Sequence, residues 1–194
     1  MNPILLDFPE QFETERLLIR CPRPGDGAVI HEAIVESLDS LKRWLPFAHQ
    51  TQTVESAEAS VRQAYAKFIL REDLRFLLFE RNSNILIGSS GLHRMDWYCG
   101  RFEIGYWLRD CAVHKGYATE AVQGIVQFAD KYLHARRIEI RCDSQNKRSL
   151  LVAKRCGFHL EATLKNDKLD TYNRLRDTLV FAKLKKSDGT LGYA

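Results

Sequence analysis

The residues whose types and spacing suggest chemistry lie in one stretch, residues 103–119, with the sequence EIGYWLRDCAVHKGYAT. Its hydropathy pattern predicts that a strand ends near Leu108 and that a helix begins at about Tyr117. Gly116 and Ala118 would leave the first backbone N–H groups of that helix open to an anion, at the positive end of the helix dipole. The stretch therefore predicts a phosphate-binding loop, although a plain strand–loop–helix connection can have the same composition.

A second stretch, residues 143–158, has the sequence DSQNKRSLLVAKRCGF. Asn146 follows a predicted strand end and Ser149 lies one turn into the next helix, so both would project from the same end of the sheet as the first loop. Asn146 could hydrogen-bond a polar ligand, and Ser149 could deliver a proton. The alternative is that Asn146 caps the helix and that Ser149 is an ordinary hydroxyl of the first helical turn.

Together the two stretches resemble, in order and spacing, the acetyl-CoA-binding core of the Gcn5-related N-acetyltransferases (GNAT). The family signature Q/R-x-x-G-x-G/A falls on residues 113–118, and the downstream N-x-x-S/A…G-F pattern falls on Asn146, Ser149 and residues 157–158. The resemblance is closest to the RimJ/RimL-type subgroup, which acetylates the N-termini of ribosomal proteins, and it spans about residues 12–184. Five segments carry it: ETERLLIR (13–20), WLPF (44–47), IGYWL (104–108), GYATEA (116–121) and LRDTLVFAKL (175–184).

The resemblance implies direct transfer of an acetyl group from acetyl-CoA to a primary amine in a ternary complex, with no metal. The implied acceptor is the N-terminal α-amine of a protein, in particular a ribosomal protein. Such an amine has an ordinary pKa of about 7.7–8.0, so a modest base suffices. Three alternatives stay open: an acetyltransferase for a small amine such as an aminoglycoside or polyamine, a non-catalytic acyl-CoA-binding module on the same fold, and a nucleic-acid binder, for which no recognition motif is present.

Glu103 is the expected general base because it lies on the central strand of this core. A strand glutamate more often forms an ion pair, here with Arg101 or Arg109, and that alternative has about equal weight. Asp170 and Glu161 are the reserve candidates for the base.

Two positions depart from the family pattern. Val113 replaces the opening Gln or Arg of the signature, which predicts a weaker phosphate contact. Ala153 occupies the place where many relatives have a tyrosine that protonates the leaving thiolate, so Ser149 is the expected donor to the thiolate.

The remaining site residues follow from the same resemblance. The expected acetyl-CoA contacts are Tyr106, Trp107, Leu108, Val113, His114, Lys115, Gly116, Tyr117, Ala118, Thr119, Asn146 and Ser149. The aromatic residues expected to wall the acceptor pocket are Trp44, Phe47, Trp97 and Tyr172, although core packing would explain each of them. A basic cluster that could meet the 3′-phosphate of CoA, or simply face solvent, comprises Arg136, Arg137, Lys147, Arg148, Lys154 and Arg155.

Length and composition set the wider limits. At 194 residues, with 45% hydrophobic and 28% charged residues, the chain is expected to form one domain over residues 1–184, followed by a flexible tail over 185–194. The net charge of +4 does not demand nucleic acid. Five cysteines without a CxxC pair disfavour a metal site or a disulfide framework and favour a reducing cytoplasm. No signal peptide and no membrane span are expected, and a free sheet edge or helix face could support a homodimer.

The elements that must position these residues give an α/β (α+β) class, with a mixed, mostly antiparallel sheet of about seven strands that the resemblance expects to be splayed at its centre. Asp26 and Thr53 are expected to cap the first two helices. The predicted strands cover residues 12–21, 74–81, 85–95, 101–108, 137–142, 158–164 and 178–184. The predicted helices cover residues 26–38, 54–71, 118–133 and 146–156.

Overall fold

The computed structural model describes residues 2–170 and 172–192. In this part of the chain the strands are β1 (Gln11–Glu13), β2 (Leu17–Arg20), β3 (Leu74–Glu80), β4 (Leu86–Asp96), β5 (Arg101–Leu108), β6 (Arg137–Asp143), β7 (His159–Leu169), β8 (Leu175–Lys185) and β9 (Leu191–Gly192). The α-helices are α1 (Gly27–Glu36), α2 (Leu38–Lys42), α3 (Val54–Ile69), α4 (Tyr117–Leu133) and α5 (Lys147–Arg155).

The strands form one sheet in the order β1-β2-β3-β4-β5-β6-β8-β7, and β9 adds to β8. Every neighbouring pair is antiparallel except β5 and β6, which run parallel. That parallel pairing covers only residues 101–103 of β5 and residues 137–139 of β6, after which the two strands separate. The expectation of a mixed, mostly antiparallel sheet that is splayed at its centre is confirmed.

The sheet has nine strands in the described residues rather than about seven, for two reasons. The first expected strand is a hairpin, because the chain reverses at residues 14–16, where the N–H of Thr14 bonds to the carbonyl of Leu17 at 2.9 Å. Within the segment expected to be a flexible tail, Leu191 and Gly192 pair with β8. Residues 193 and 194 of that tail lie outside the described part, and its flexibility stays a prediction.

Helices cover both faces of the sheet, so a central strand such as β3 is buried on both sides. Phe76 and Leu78 point into a core built largely with α4 and α5. Leu77 and Phe79, which alternate with them, point into a second core with α1, α2 and α3. The sheet is therefore the shared wall of two cores, and its residues are fixed from both faces.

The two expected helix caps have different outcomes. The Thr53 hydroxyl accepts a bond from the N–H of Ser56 and forms a reciprocal capping box with it, as predicted for α3. Asp26 precedes α1 but makes no capping bond. Its carboxylate instead pairs with Arg20 at 2.7 Å and accepts the N–H of Arg23, so the prediction of a cap at Asp26 was wrong.

Of the helices in the described part, none is long and apolar enough to cross a membrane.

Candidate active site

The separation of β5 and β6 opens a cavity of about 510 Å³ in the middle of the sheet, here called the gap cavity. Beyond Glu103, the backbone of β5 has no strand partner on its β6 side. The walls of the cavity come from β5, the end of β6, the start of α5, the β7–β8 hairpin and the segment after α2. The lining of the gap cavity includes Glu103, Tyr106, Cys142, Asn146 and Ser149.

Tyr106 and Ser149 connect the two sides of this gap. The phenol oxygen of Tyr106 and the hydroxyl oxygen of Ser149 are 2.8 Å apart, and the same phenol donates to the Ser149 carbonyl at 3.2 Å. Asn146 precedes α5, and its side chain accepts the N–H of Ser149 at 3.1 Å. Asn146 thus caps the helix as one sequence alternative proposed, and both Asn146 and Ser149 also line the gap cavity.

Burial sets the protonation of the groups in the gap. Desolvation raises the pKa of the Tyr106 phenol well above its ordinary value, and the bond from Ser149 only partly offsets this. Burial also raises the pKa of the Cys142 thiol, which interacts with the Ser149 hydroxyl as well. At neutral pH both groups keep their protons, so the Tyr106 phenol has one proton that either the carbonyl or the hydroxyl of Ser149 can accept.

The expected phosphate loop lies beyond the end of β5. Gly116 precedes α4 with φ +85°, a left-handed conformation that favours glycine, and it provides no side-chain cap for the helix. A Cβ at Gly116 would lie 3.4 Å from the guanidinium of Arg16. The N–H groups of Tyr117, Ala118 and Thr119 begin α4 and have no intrahelical partners. The structure therefore has the open helix N-terminus that the sequence predicted.

Residues from the N-terminal hairpin fix this loop in place. Arg16 donates to the Lys115 carbonyl at 3.0 Å and to the Glu120 carboxylate at 2.7 Å. Glu120, in the first turn of α4, also accepts the hydroxyl of Thr14 and the N–H of Arg16. Burial works against the charge of Glu120, yet these bonds hold its pKa below its usual range. The helix start is thus held by the turn between β1 and β2.

The other loop residues differ in exposure. Val113 is half-buried, whereas His114 and Lys115 are exposed. The Tyr117 side chain turns away from the loop, since its hydroxyl donates to Glu80 and its ring lies 4.4 Å under the Arg16 guanidinium. Its backbone alone faces the open end of α4.

Glu103 lines the gap cavity and also forms an ion pair. Its partner is Arg94, at 3.0 Å, and that guanidinium is 70% exposed. Neither arginine considered from the sequence binds it: Arg101 pairs with Asp96, and Arg109 pairs with two carboxylates of α1. Because the Arg94 side chain is largely in solvent, the ion pair contributes little to stability.

The two reserve bases are held as anions by arginines. Backbone N–H groups, first that of Arg174, and the Arg174 side chain lower the pKa of Asp170 to about 2. The Arg137 guanidinium lowers the pKa of Glu161. A carboxylate with a lowered pKa is a weaker proton acceptor, so both residues are poorer candidates for the base than Glu103.

Asp170 belongs to a buried charge network that holds the β7–β8 hairpin over the gap. Arg176, which is only 9% exposed, bonds to Asp143 at the end of β6 and to Asp170 at the hairpin turn. Arg174 binds Asp170 from the solvent side. A buried guanidinium between two carboxylates satisfies charges that would otherwise be costly, so this network fixes one wall of the gap cavity.

A second cavity of about 440 Å³, here called the side cavity, lies under α1 and α3 beside the gap cavity. Leu45, Gly105 and Tyr106 line both cavities, so the two are neighbours across β5. The Ser90 hydroxyl donates to the Gly105 carbonyl at 2.8 Å and fixes the backbone at this shared point. The two cavities thus approach each other at Gly105 and Tyr106.

Sequence reasoning missed a histidine of the side cavity, His93, which pairs with an aspartate outside the cavity lining. His93 Nδ1 lies 2.7 Å from Asp73 Oδ2. The imidazole lies against Gly105, because a Cβ there would meet His93 Nε2 at 3.3 Å. His93 is also opposite Glu103 in the β4–β5 register. The pairing of residues 73 and 93 has a signal in the sequence, since both are equally far from the predicted turn at residues 82–84. Using that signal requires the register of the β3–β4 hairpin.

The four aromatic residues expected around the acceptor have separate locations. Trp44 lines the gap cavity, and Phe47 lines the side cavity, with its ring 6.5 Å from that of Trp107. Tyr172 is 65% exposed and lines a shallow pocket next to the gap cavity. Trp97 packs against a buried phenylalanine of β5 and donates its indole N–H to a backbone carbonyl, outside both cavities.

The basic cluster does not form one patch of free charge. Arg137 binds Glu139 and Glu161, so its charge is already paired. The lysines and arginines at 147, 148, 154 and 155 lie at the two ends of α5. In the described residues, no group of three or more His, Cys, Asp or Glu side chains could hold a metal ion, and all five cysteines are free thiols.

Residues 16–159 match the acetyltransferase (GNAT) domain. The chain is 28% identical over 176 residues to YdaF of Bacillus subtilis (strain 168), which carries the provisional name ribosomal N-acetyltransferase; the match covers 89% of this chain and 93% of YdaF. It is 31% identical over 127 residues to the ribosomal-protein-serine acetyltransferase of Escherichia coli (strain K12), covering 63% and 66% of the two chains.

Among solved structures, the fold matches RimL, a ribosomal L7/L12 α-N-protein acetyltransferase in complex with coenzyme A. The TM-score is 0.84 at 19% identity, and the match covers 90% of this chain and 98% of that chain. The family and the fold that the sequence motifs predicted are both confirmed.

Proposed function

The chain belongs to the acetyltransferase (GNAT) family and is an acyltransferase, and from that premise we propose that it transfers the acetyl group of acetyl-CoA to the N-terminal α-amine of a ribosomal protein. The observation that carries this proposal is the gap between β5 and β6, which holds a cavity lined by Glu103 and Ser149 and is accompanied by the open N-terminus of α4. A ribosomal acceptor would place the reaction in the cytoplasm. The names of the relatives YdaF and RimL support that acceptor.

The residues present fit acetyl-CoA. The free N–H groups of Tyr117, Ala118 and Thr119 suit a pyrophosphate, and Gly116 leaves room for it to approach. The unpaired edge of β5, residues 106–108, offers backbone groups to the amide-containing arm of CoA. Val113, His114, Lys115 and Asn146 complete the expected set. The fit supports the cofactor contacts predicted from the sequence.

Acetyl transfer makes three demands on the protein. The amine must be deprotonated, because an ammonium has no lone pair. The thioester oxygen gains negative charge in the tetrahedral intermediate, and a backbone N–H of residues 106–108 that faces the gap would stabilise it. The leaving thiolate needs a hydrogen bond. We assign that bond to Ser149, whose hydroxyl is oriented by the buried, protonated phenol of Tyr106.

The proton of the amine goes to Glu103 in this proposal, directly or through a water molecule. Glu103 lines the gap cavity, and its ion-pair partner Arg94 is largely exposed. His93 stands beside it on β4 and is oriented by Asp73. His93 is therefore the second candidate for the base.

The acceptor would enter beneath the segment at residues 44–52, where Trp44 and Phe47 bound the two cavities, and Tyr172 lies at the rim of the gap. The side-cavity lining contains no carboxylate among the described residues, which disfavours a polyamine as the acceptor. A non-catalytic acyl-CoA module would keep the cofactor site and lack turnover.

The experiment that tests the proposal combines binding with turnover. Acetyl-CoA at a hundred times its Kd should stabilise the folded chain by about 2.7 kcal/mol and raise its melting temperature, whereas ATP should have little effect. Synthetic peptides with the N-terminal sequences of ribosomal proteins should then release free CoA thiol and gain an acetyl group at the α-amine, measured by mass spectrometry. Binding without turnover on any amine would support the non-catalytic alternative, and turnover on polyamines alone would contradict the peptide acceptor.

Gly116→Ala should weaken acetyl-CoA binding about tenfold or more, because a methyl group would occupy the approach to the α4 N-terminus. Gly189→Ala is the matched control, since Gly189 has a nearly equal φ of +83° and no neighbour within 4 Å of an added Cβ. Both variants carry similar backbone strain, but only the first should change the Kd in calorimetry. Equal affinities in the two variants would show that the phosphate site lies elsewhere.

Glu103→Gln should lower kcat/KM about 100-fold, because an amide cannot accept the proton of the amine. Glu139→Gln is the control: Glu139 is the in-register neighbour on β6 and is paired with Arg137. His93→Asn tests the second candidate in the same assay. If only the His93 variant loses activity, the base is His93 and the assignment of Glu103 is wrong.

Ser149→Ala should lower kcat about 10- to 100-fold while the Kd for acetyl-CoA stays within about twofold, since the hydroxyl acts on the departing thiolate. Rapid-quench measurement of the transfer step separates this effect from product release. An unchanged rate of transfer would remove Ser149 from the mechanism.

A further inference from the structure

The side cavity has an unusual charge composition for a pocket beside an amine-acetylating centre. Its lining consists of hydroxyl and amide side chains, apolar side chains, one histidine and one arginine, Arg75. Within the described residues that line it, there is no aspartate or glutamate. A pocket intended for a polycationic amine would have the opposite composition.

Arg75 is half-buried, and both of its hydrogen-bond partners are neutral. Its Nε donates to the Ser89 hydroxyl at 3.3 Å, and one terminal nitrogen donates to the Ser60 hydroxyl at 3.0 Å. Asp73 is the carboxylate that acts on it electrostatically, but an Asp73 oxygen is bound by His93. In the part of the chain that the structure describes, no carboxylate forms an ion pair with Arg75.

The position of Arg75 relative to the reaction centre follows from the strand register. Arg75 is opposite Gly91, and Gly91 is opposite Gly105. The three residues thus form a row across β3, β4 and β5, and neighbouring strands are about 4.8 Å apart, so Arg75 starts about 10 Å from Gly105. The His93 ring lies over the two glycines of this row, because an added Cβ at either would meet it at 3.1 Å.

Desolvation of a guanidinium without an ionic partner is unfavourable, and burial lowers the pKa of Arg75 accordingly. Guanidinium groups bind carboxylates with charge-assisted hydrogen bonds, which are stronger than bonds to neutral hydroxyls. We propose that the side cavity binds a carboxylate of the acetyl acceptor through Arg75, with Ser60 and Ser89 orienting the guanidinium. This inference rests on the proposed acetyltransferase function and names the chemistry of its acceptor.

The distance between Arg75 and Gly105 limits which residue of the acceptor can carry that carboxylate. Each residue of an extended peptide spans at most about 3.3–3.6 Å, so an amine near Gly105 places the side chains of the first two or three residues within reach of Arg75. The acceptor is then a peptide with an acidic residue close to its N-terminus. A free amino acid, whose own carboxylate is near its amine, presents the same chemistry.

The test compares two hexapeptides that differ only in Asp or Asn at position 2, together with free aspartate and spermidine. For the wild-type chain the KM of the Asp peptide should be about 10- to 100-fold lower than that of the Asn peptide, which corresponds to one charge-assisted bond. Arg75→Gln should abolish this preference and leave the KM of the Asn peptide unchanged. Equal KM values for the two peptides in the wild-type chain would overturn the proposal.

Arg62→Gln is the matched control, because Arg62 is an exposed arginine of α3 that pairs with Glu58 and lies outside the lining of the side cavity. It changes the net charge equally and should keep the preference. Arg75→Lys retains the positive charge and should keep part of the preference for the Asp peptide. If Arg75→Gln does not fold, as judged by its melting temperature and acetyl-CoA affinity, the comparison of Arg75→Lys with Ser60→Ala decides, since both should reduce the preference.

The acceptor that is acetylated shows whether the carboxylate site or the proposed function is wrong. Acetylation of aspartate in preference to either peptide would contradict a protein acceptor and support the carboxylate site. Acetylation of both peptides with no preference would support the protein acceptor and overturn the carboxylate site. Preferred acetylation of spermidine would contradict both.

Discussion

Strands β5 and β6 pair through three residues and then separate, and the rest of the structure is arranged around the backbone groups that this separation frees. Buried N–H and C=O groups require partners, so a gap in the middle of a sheet is stable only where its walls or a ligand supply them. The gap also divides the neighbouring space into two compartments, one towards α5 and one under α1 and α3. A thioester and an amine can therefore approach one strand from different directions.

Contacts from every side hold this gap at a defined width. Tyr106 crosses it to reach Ser149, and Ser90 holds the Gly105 carbonyl from the adjacent strand. On the far side, Arg176 joins the end of β6 to the β7–β8 turn through two buried carboxylates. Because these contacts come from elements that are distant in sequence, the positions of the residues that line the gap depend on the whole sheet. This arrangement favours precise positioning, which can supply much of the rate of a transfer between two bound substrates.

The sequence was informative where its signals were local. The period of the hydrophobic residues located the meander β3–β5 and the main helices, and Gly116 and Asn146 marked the starts of α4 and α5. The sequence was less informative where a side chain had a choice of partner. Asp26 has the position of a helix cap, but its carboxylate binds Arg20 instead. Glu103 pairs with Arg94 rather than with Arg101 or Arg109.

Partners that depend on strand register could not be found from motifs. His93 and Asp73 are neighbours because β3 and β4 form a hairpin, and Arg75 is aligned with Gly91 of β4 and Gly105 of β5 by the strand register. The split of the first strand was missed for a similar reason, since the reversal at residues 14–16 is stabilised by Glu120 from the other half of the chain. In each case the decisive contact is long-range, whereas the sequence pattern reports on local preferences.

The attachment of the α4 N-terminus to the first hairpin has a consequence for the order in which the molecule can be assembled. Arg16 and Glu120 are 104 residues apart in the chain, so the open end of α4 takes its shape from a segment that leaves the ribosome long before the helix does. During synthesis the hairpin can therefore form its bonds to Glu120 only after most of the domain has been made. A fragment that contains the complete glycine motif, but begins after β2, would present a frayed helix end.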